Sequence, residues 1–322
     1  MLRVLAVVAI SLLSWVFPLE AQPAKPKVVF LAFSPLPAFE ASFNSALRRL
    51  GWEDGRNIIV ERRYTQSGPP LSEVVVEVVR QAPDVIVAPN AGFAIALRRE
   101  TTTIPIVVLV AGELVAAGLA ESLARPGGNV TGTQVIQREI MGKRLEWLKE
   151  ALGRLDRVAH ITDTLTSAPG YRADHRRQFE TLTQALHIQP SWYEVADLIE
   201  FENGFKQMAA QQAQAVIVGG SPFMFQNARS VTDVAAKYRV PATWEAREFV
   251  RAGGLMAYGV DFEYVFARGA TFVDKILRGT KPAVLPIEQS TKFELAINLK
   301  AAKALGLTIP PSVLARADEV IQ

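Results

Sequence analysis

The sequence predicts an α/β protein built as two doubly wound parallel-sheet lobes joined by three crossing segments. Short apolar runs alternate with amphipathic runs, the alternation begins again near residue 141, and a long extended run covers residues 285–297. Continuous apolar strands separated by amphipathic helices are typical of a parallel sheet covered on both faces. A chain of 322 residues also exceeds what one hydrophobic core usually organises, so two lobes are expected.

The first series predicts four strands, each followed by a helix. "DVIVA" and "IPIVVLV" are unbroken apolar strands, whereas Phe39, Phe43 and Leu47 recur at helical spacing. The predicted strands are 28–32, 57–64, 84–88 and 104–110, and the predicted helices are 39–50, 71–79, 92–99 and 114–123.

The second series repeats this pattern with five strands. The predicted strands are 157–161, 190–195, 215–219, 240–243 and 254–258, and the predicted helices are 141–152, 172–186, 201–210 and 227–238. Residues 262–322 then add three helices and the extended run, which is long enough to pass between the lobes. We therefore assign 27–132 plus 261–289 to lobe one, and 134–258 plus 292–322 to lobe two.

The N-terminus is typical of a secretory signal peptide. Arg3 precedes an uncharged run over residues 4–17, and a small residue, Ala21, follows it. The run is shorter than the roughly 20 residues that a membrane-spanning helix needs, although an uncleaved anchor is the alternative. We expect residues 1–21 to be removed, which leaves Gln22 as the first residue of a protein released into the periplasm.

Composition argues against several kinds of site. The chain has no cysteine, which excludes disulfides, thiolate metal sites, a cysteine nucleophile and a lipid-modified N-terminal cysteine. The net charge of +3 is nearly neutral for this length and gives no electrostatic footprint for nucleic acid. The 3 histidines have no metal-binding spacing. We expect no nucleic-acid partner, no metal and no cofactor.

The glycines from Gly127 to Gly132 have the spacing of a loop that binds nucleotide phosphates. Such a loop continues with Lys and Ser or Thr and opens a helix, whereas Thr133 and Gln134 follow here and lead into a strand. The sequence therefore favours a role for these glycines in backbone conformation rather than in phosphate binding. The first glycines are expected to end the predicted helix after residue 124, and Gly132 is expected to let the backbone bend.

An enzymatic alternative rests on "GGSPF" at residues 219–223. It half matches the Gly-x-Ser-x-Gly turn that presents a nucleophilic serine, but it ends in Phe223. An exported hydrolase would use Ser221, with His160 and Asp163 as a possible remnant of the base and acid. No complete catalytic set is present, so we expect no enzyme and no catalytic residue.

Small polar residues and aromatic residues recur where the predicted strands end. Ligands of open α/β sheets bind outside the carboxyl ends of the strands, and helix starts there supply N–H donors that favour an anion. The candidate ligand-binding residues are Phe33, Ser34, Asn90, Ala91, Gly92, Phe93, Glu113, Thr162, Thr164, Ser221, Phe223, Trp244, Tyr258 and Asp261.

Four segments carry a family resemblance: "SLARPGGNVTG", "GKRLEWLKE", "REFVRAGGLMAYGVDF" and "KFELAINLKAAKALGLTIPPSVLARADEVI". Together they resemble the ABC transporter substrate-binding proteins of the tryptophan/tyrosine-type family, over essentially all of residues 27–322. The resemblance implies the periplasmic binding protein type I fold, with a cleft that closes on its ligand. It also implies that the protein captures a small solute and delivers it to an ABC permease in the inner membrane.

Three turns depart from the family pattern, at residues 90–93, 112–115 and 162–171. Members usually have Gly-Thr-Pro-Ala at the first turn, Gly-Asp-Pro-Val at the second and an Asn-Pro in the third. All three turns are expected to face the cleft. The resemblance therefore implies the fold of this protein but not the identity of its ligand.

The ligand predicted from the residues is a carboxylate with an aromatic or apolar body, such as an aromatic amino acid or a related acid. The carboxylate would meet the N–H groups of residues 90–92 or 221–223, with Ser34 as a further donor. Aromatic rings would bracket the body, and Glu113 or Asp261 would hold an amino group. The ring candidates are Phe33, Phe93, Phe223 and Trp244. A sugar-like ligand and a sensory role remain alternatives.

Overall fold

The computed structural model describes residues 24–66, 69–165 and 169–322. It forms two α/β lobes, each organised around one sheet, which confirms the predicted fold class. The predicted signal peptide, residues 1–21, lies outside the described residues.

The first sheet is formed by the first five strands and one that comes much later in the chain. Its elements, in chain order, are β1 (Lys27–Ala32), α1 (Pro37–Arg49), β2 (Ile59–Tyr64), α2 (Leu71–Arg80), β3 (Val85–Asn90), α3 (Ala91–Glu100), β4 (Ile106–Ala111) and β5 (Val130–Gln134). The strand order is β2-β1-β3-β4-β5 with all pairs parallel, so the order reverses between β1 and β3.

The second series follows at once. Its elements are α4 (Gln137–Leu152), β6 (Arg157–Asp163), α5 (Pro169–Ala185), β7 (Gln189–Val195), α6 (Leu198–Ala210), β8 (Ala215–Val218), α7 (Pro222–Gln226), α8 (Ala228–Tyr238), β9 (Ala242–Trp244), α9 (Arg247–Arg251) and β10 (Met256–Val260). The strands β7-β6-β8-β9-β10 are parallel neighbours, and their order reverses between β6 and β8.

The C-terminal part of the chain contributes to both sheets. It comprises α10 (Phe262–Leu277), β11 (Glu288–Gln289), β12 (Phe293–Asn298), α11 (Leu299–Leu305), α12 (Pro311–Leu314) and β13 (Glu319–Ile321). β11 pairs with β5 in the first sheet, whereas β12 pairs antiparallel with β10 and parallel with β13 in the second. The chain thus passes between the sheets after β5, after β10 and after β11.

Helix α10 lies on the first sheet and packs along α1. The ring of Phe262 stacks on Phe39 at 5.2 Å between centroids, and Phe266 lies 5.3 Å from the same ring. Phe266 also lies 6.1 Å from Phe30 on β1. The first half of the chain and a helix from its last third therefore share one apolar core.

The predicted helix over residues 114–123 is wrong. This segment forms a succession of turns, in which Leu114 and Leu119 are buried against the first sheet. Gly118 has a φ of +69°, which no residue of a right-handed α-helix adopts. The glycines after residue 124 therefore end no helix.

Gly132 lies within β5, where the backbone of β4 passes very close. A Cβ atom on Gly132 would overlap the carbonyl oxygen of Val108, and the φ of +137° is open to glycine alone. The requirement for glycine at this position comes from strand packing.

Candidate functional site

The carboxyl ends of the central strands form two groups of polar turns, one in each lobe. In the first lobe the order of strands reverses between β1 and β3, so Ser34, which follows β1, and Asn90, the last residue of β3, lie at the ends of neighbouring strands. In the second lobe it reverses between β6 and β8, which places Thr162 and Ser221 in the equivalent positions. The crevice at such a reversal is where open α/β sheets bind ligands.

In the first lobe, several of the predicted residues lie at this edge. Asn90 caps α3, since its Oδ1 accepts a hydrogen bond from the N–H of Phe93 at 3.3 Å. Ser34 is buried, and its hydroxyl has no hydrogen-bond partner among the described residues. Phe33 and Ala91 are half-buried, whereas Gly92 and Glu113 are exposed.

In the second lobe, the hydroxyl group of the predicted residue Ser221 already accepts a hydrogen bond within the protein. Ser221 caps α7 and accepts a hydrogen bond from the N–H of Met224 at 3.2 Å. This is a structural task for the hydroxyl that the hydrolase alternative would need as a nucleophile. Phe223 and Thr162 are buried, and Thr164 is exposed.

The structure does not bring Trp244 to the edge of the sheet. Its ring is 1% exposed and stacks on Phe249, with 5.1 Å between centroids. Because it lies inside the hydrophobic core of the second lobe, it offers no face to a ligand. This placement disagrees with its predicted role as a stacking ring.

The carboxylate of Asp261, another predicted ligand-binding residue, already has partners within the protein. Its carboxylate caps α10 through the N–H of Tyr264 at 2.9 Å and forms an ion pair with Lys292 at 2.7 Å. Burial acts to raise the pKa of Asp261, but Lys292, the Tyr264 N–H and Arg247 together lower it. Asp261 thus ties together two segments that cross between the sheets, and its charge is already balanced.

Sequence reasoning missed a narrow, enclosed pocket in the second lobe. It lies between α4, α5 and the carboxyl ends of β6, β8 and β9. Polar side chains line most of it, and they belong to Gln137, Arg144, His160, Thr162, Tyr171, Arg172, His175 and Glu245. Of these residues, only Thr162 was a predicted ligand-binding residue, and His160 had been named for the enzymatic alternative.

Arg144 enters this pocket from α4. The residue is 5% exposed, and its Nε donates a hydrogen bond to the carbonyl oxygen of Tyr258 at 2.7 Å. Nη2 is buried with no partner among the described residues. Burial lowers the pKa of Arg144, while Glu245, Tyr171 and Tyr258 act to raise it. The half-buried Tyr258, another predicted residue, thus contributes its backbone here.

Glu245 enters the same pocket from the end of β9. Its carboxylate lies over the backbone of Gly220, where any Cβ atom would collide with Oε2. Burial raises the pKa of Glu245, and Arg144 acts to lower it. Glu245 and Arg144 influence each other electrostatically. Within the described residues, however, no ion pair joins the two side chains.

A histidine closes the inner side of the pocket. The ring of His160 stacks on Trp192 at 4.2 Å, and its Nδ1 has no partner within the described part of the chain. Burial, then His175 and Arg144, hold the pKa of His160 well below its ordinary value, so the ring is neutral at pH 7. It can exchange hydrogen bonds without adding charge.

A signal for Arg144 was present in the sequence. Helix α4 buries Met141, Leu145 and Leu148, and Arg144 falls on the same face at a spacing of three and four residues. A charged residue in an apolar stripe requires a polar environment. Glu245 had no comparable signal, because it stands in a short turn after β9.

The described residues, which leave out 1–23, 67–68 and 166–168, contain no group of three or more His, Asp or Glu side chains that could hold a metal ion. In the same part of the chain, no helix has both the length and the apolar character needed to cross a membrane.

Comparison with known proteins decides the family. The model of the family described as ABC transporter substrate binding protein matches residues 28–321. The chain belongs to this family. Members bind small-molecule ligands, work with a transporter permease, and are typically extracellular or periplasmic. As solute-binding proteins they are not enzymes.

Relatives of known structure show the same fold. A conserved domain protein from Vibrio cholerae O1 biovar El Tor aligns with a TM-score of 0.83 and 24% identity, over 92% of this chain and 99% of that one. An ABC domain from Streptococcus pneumonia in complex with L-Trp aligns with a TM-score of 0.81 and 20% identity, over 92% of this chain and all of that one (100%). Both support the periplasmic binding protein type I fold.

A curated relative has a ligand in its name. The tyrosine-binding protein of Clostridioides difficile (strain R20291) is 25% identical over 272 residues, which are 82% of this chain and 75% of the relative.

Proposed function

We propose that this protein captures an aromatic amino acid, or a related aromatic acid, in a cleft between its lobes and delivers it to an ABC permease of the inner membrane. The observation that carries the proposal is the pair of polar turn groups at the strand reversals of the two sheets. The tyrosine-binding relative and the L-Trp complex support the choice of ligand class.

Contacts between the lobes support a cleft at this edge. Gln66, which follows β2, and Gln226 at the end of α7 exchange two amide hydrogen bonds of 2.5 and 2.7 Å. Phe225 of α7 lies 5.9 Å from Phe39 and 5.3 Å from Phe262, both on helices of the first lobe. A cleft bounded by these contacts would be shut around its ligand.

The ligand body would lie against the aromatic residues that border the turns. Phe33 is half-buried and Phe93 and Phe223 keep a small exposed edge, whereas Trp244 is fully enclosed. Offset aromatic pairs add about 0.5–1.5 kcal/mol beyond burial. Ser34, Asn90 and the Ala91–Gly92 backbone would supply hydrogen bonds from the first lobe, and Thr162 and Thr164 from the second.

We also propose that the chain is exported to the periplasm with residues 1–21 as its signal peptide, so that mass spectrometry of the mature protein finds Gln22 at its start. The uncharged run over residues 4–17 and the small Ala21 support this.

A thermal-shift panel tests the proposed ligand class. L-tyrosine, L-tryptophan and L-phenylalanine should raise Tm, because a ligand at 100 times its Kd stabilises the folded state by about 2.7 kcal/mol. Aliphatic amino acids, aromatic acids, sugars and nucleosides complete the panel. Stabilisation by sugars alone would contradict the proposal.

A further inference from the structure

We propose that Arg247 is a positioning residue for the movement of the lobes: it links α9 of the second lobe to α10 of the first, and it makes the angle between the lobes depend on pH. The inference goes beyond the proposed function and rests on it in one respect, that the lobes open and close. It is carried by a group of charged side chains, here called the hinge cluster. The hinge cluster consists of Arg247, Glu248, Asp261, Glu263, Lys292 and Glu294.

The hinge cluster lies where two of the crossing connections run side by side. Asp261 belongs to the connection after β10, and Lys292 belongs to the connection after β11. The N–H of Asp261 donates a hydrogen bond to the carbonyl oxygen of Lys292 at 3.1 Å, and the two side chains form an ion pair at 2.7 Å. Rotation of one lobe against the other bends such connections. The charges of the cluster therefore lie at a point through which the movement passes.

Arg247 joins the two lobes at this point. Its Nη1 donates a hydrogen bond to Glu294 on β12 at 2.7 Å, and its Nη2 lies 3.0 Å from a carboxylate oxygen of Glu263 on α10. Strand β12 belongs to the second sheet, whereas α10 packs on the first. The Arg247 side chain is 18% exposed, so salt and water screen its interactions less than those of a surface arginine. The angle between the lobes thus decides how close Glu263 comes to the guanidinium.

The hinge cluster has more negative than positive groups. Lys292 pairs with Asp261 and balances its charge. The single charge of Arg247 is then left for three carboxylates, which belong to Glu248, Glu263 and Glu294. Like charges that share one site disfavour ionisation of one another. One of these carboxylates is therefore expected to keep its proton near neutral pH.

Glu294 is the carboxylate that keeps a proton. Its side chain is 10% exposed, and burial raises its pKa to about 7, while Arg247 acts to lower it. Three nearby acids act in the same direction as burial: Glu248, Asp261 and Asp318. Glu319 on β13 is already paired with Arg251 at 2.9 Å. Glu294 is thus the member of the cluster that changes charge close to pH 7.

The charge of Glu294 decides how Arg247 is shared. At a pH below about 7 Glu294 is neutral, so the guanidinium is available to Glu263 and holds α10 close to α9. Above this pH the Glu294 carboxylate competes for the guanidinium. When the lobes part, Glu263 moves away and Arg247 stabilises the Glu294 carboxylate alone, which lowers the pKa of Glu294. The arrangement with the lobes in contact therefore binds the proton more tightly and is favoured at low pH.

Fluorescence energy transfer between the lobes tests this inference without any ligand. The chain has no cysteine, so dyes attach only at introduced positions, Ser72→Cys on α2 and Asn203→Cys on α6. Both residues are exposed, and they follow the edge strands β2 and β7, which lie farthest in each sheet from the crossing connections.

The expected result is a loss of contact between the lobes as the pH rises. From about pH 5.5 to about pH 8.5, the ratio of molecules with the lobes in contact to molecules with the lobes apart should fall about tenfold, with a midpoint near pH 7. A tenfold fall corresponds to a Glu294 pKa that differs by about one unit between the two arrangements. A ratio that stays constant over this range would overturn the proposal.

Substitutions assign the effect to the hinge cluster. Glu294→Gln should keep the ratio at its low-pH value throughout, because no second charge competes for Arg247. Glu263→Gln should lower the ratio at low pH and remove its pH dependence, because α10 then offers no partner to Arg247. Arg247→Gln should act in the same way, and Arg247→Lys, which keeps the charge, should restore part of the contact. Glu180→Gln, in an exposed ion pair of α5, is the matched control and should follow the parent.

The outcomes separate this inference from the proposed function. A pH-dependent ratio that is unchanged in both Glu294→Gln and Glu263→Gln would overturn the role of Arg247. Because no ligand is added, that result would leave the proposed ligand class as it stands. If the thermal-shift panel shows binding of sugars alone, the proposed ligand class is wrong and the hinge cluster stands.

Discussion

Glu294 on β12 is a buried acid whose charge should set part of the pH dependence of stability. Arg247 donates a hydrogen bond to it at 2.7 Å, yet burial raises the pKa of Glu294 from 4.5 to about 7, with help from Asp261 and Glu248. The folded state therefore binds more protons than the unfolded state between these two pKa values, so the contribution of Glu294 to the free energy of unfolding falls as pH rises through this window.

We expect Glu294→Gln to remove this fall. Urea unfolding at pH 5 and pH 7.5 should show that the variant gains stability relative to the parent by about 2 kcal/mol at the higher pH, after allowance for partial solvent screening. The comparison with the parent is needed because the pKa values of His160 and His175 are lowered in the folded state. These two histidines make the free energy of unfolding rise with pH, which is opposite to the effect of Glu294. A difference between the proteins that does not change with pH would contradict the prediction.

At the residue level, the sequence predicted the turns better than the side chains that face the pocket. The structure places Ser34, Asn90 and Thr162 at or next to the carboxyl ends of strands, where the sequence predicted them to be. Arg144 and Glu245 meet only through the tertiary structure, since one lies on a helix and the other after a strand far along the chain. Trp244 was misjudged because an aromatic ring at a strand end packs equally well into the core.

At the level of elements, strands were predicted closely and one helix was not. The run predicted at 215–219 corresponds to Ala215–Val218, and that at 190–195 to Gln189–Val195, because both are apolar or β-rich and have clear ends. The turns over residues 114–123 have the composition of a helix but bury only Leu114 and Leu119 against the sheet. Composition alone does not distinguish these two arrangements.

The close approach of β4 and β5 gives a prediction for Gly132. Gly132→Ala should lower the free energy of unfolding by about 3 kcal/mol or more, because the added methyl group overlaps the Val108 carbonyl and the backbone φ is unfavourable. Gly128→Ala is the control, since a Cβ atom there meets nothing within 4 Å. Equal Tm values for the two variants would show that β5 can move away from β4 at little cost.

At the level of the whole molecule, three connections cross between the sheets, and hinge bending at such connections is the usual way that lobes close. We expect bending near residues 131–135, 258–261 and 289–292. Small-angle X-ray scattering should show a smaller radius of gyration when the ligand is bound. An unchanged radius, with binding confirmed by calorimetry, would argue against closure.

Phe225→Ala tests whether the contact between the lobes holds the closed form. Removal of this ring breaks its packing on Phe39 and Phe262, so the ligand-free protein should have a larger radius and a weaker apparent affinity. Ile199→Ala is the control, because that side chain is 72% exposed on α6. If both variants scatter alike, the aromatic contact does not govern closure.

The position of α10 in the chain has a consequence for how the protein folds. This helix covers α1, with Phe262 stacked on Phe39, but it is made only after the strands β6–β10 of the other sheet. During synthesis the apolar face of α1 therefore stays uncovered until most of the second lobe has emerged. Contacts so distant in sequence slow folding, because a long loop must close before they form. The lobe whose synthesis begins first is thus completed only after most of the other lobe has been made, and a chain interrupted before residue 262 would expose that face to aggregation.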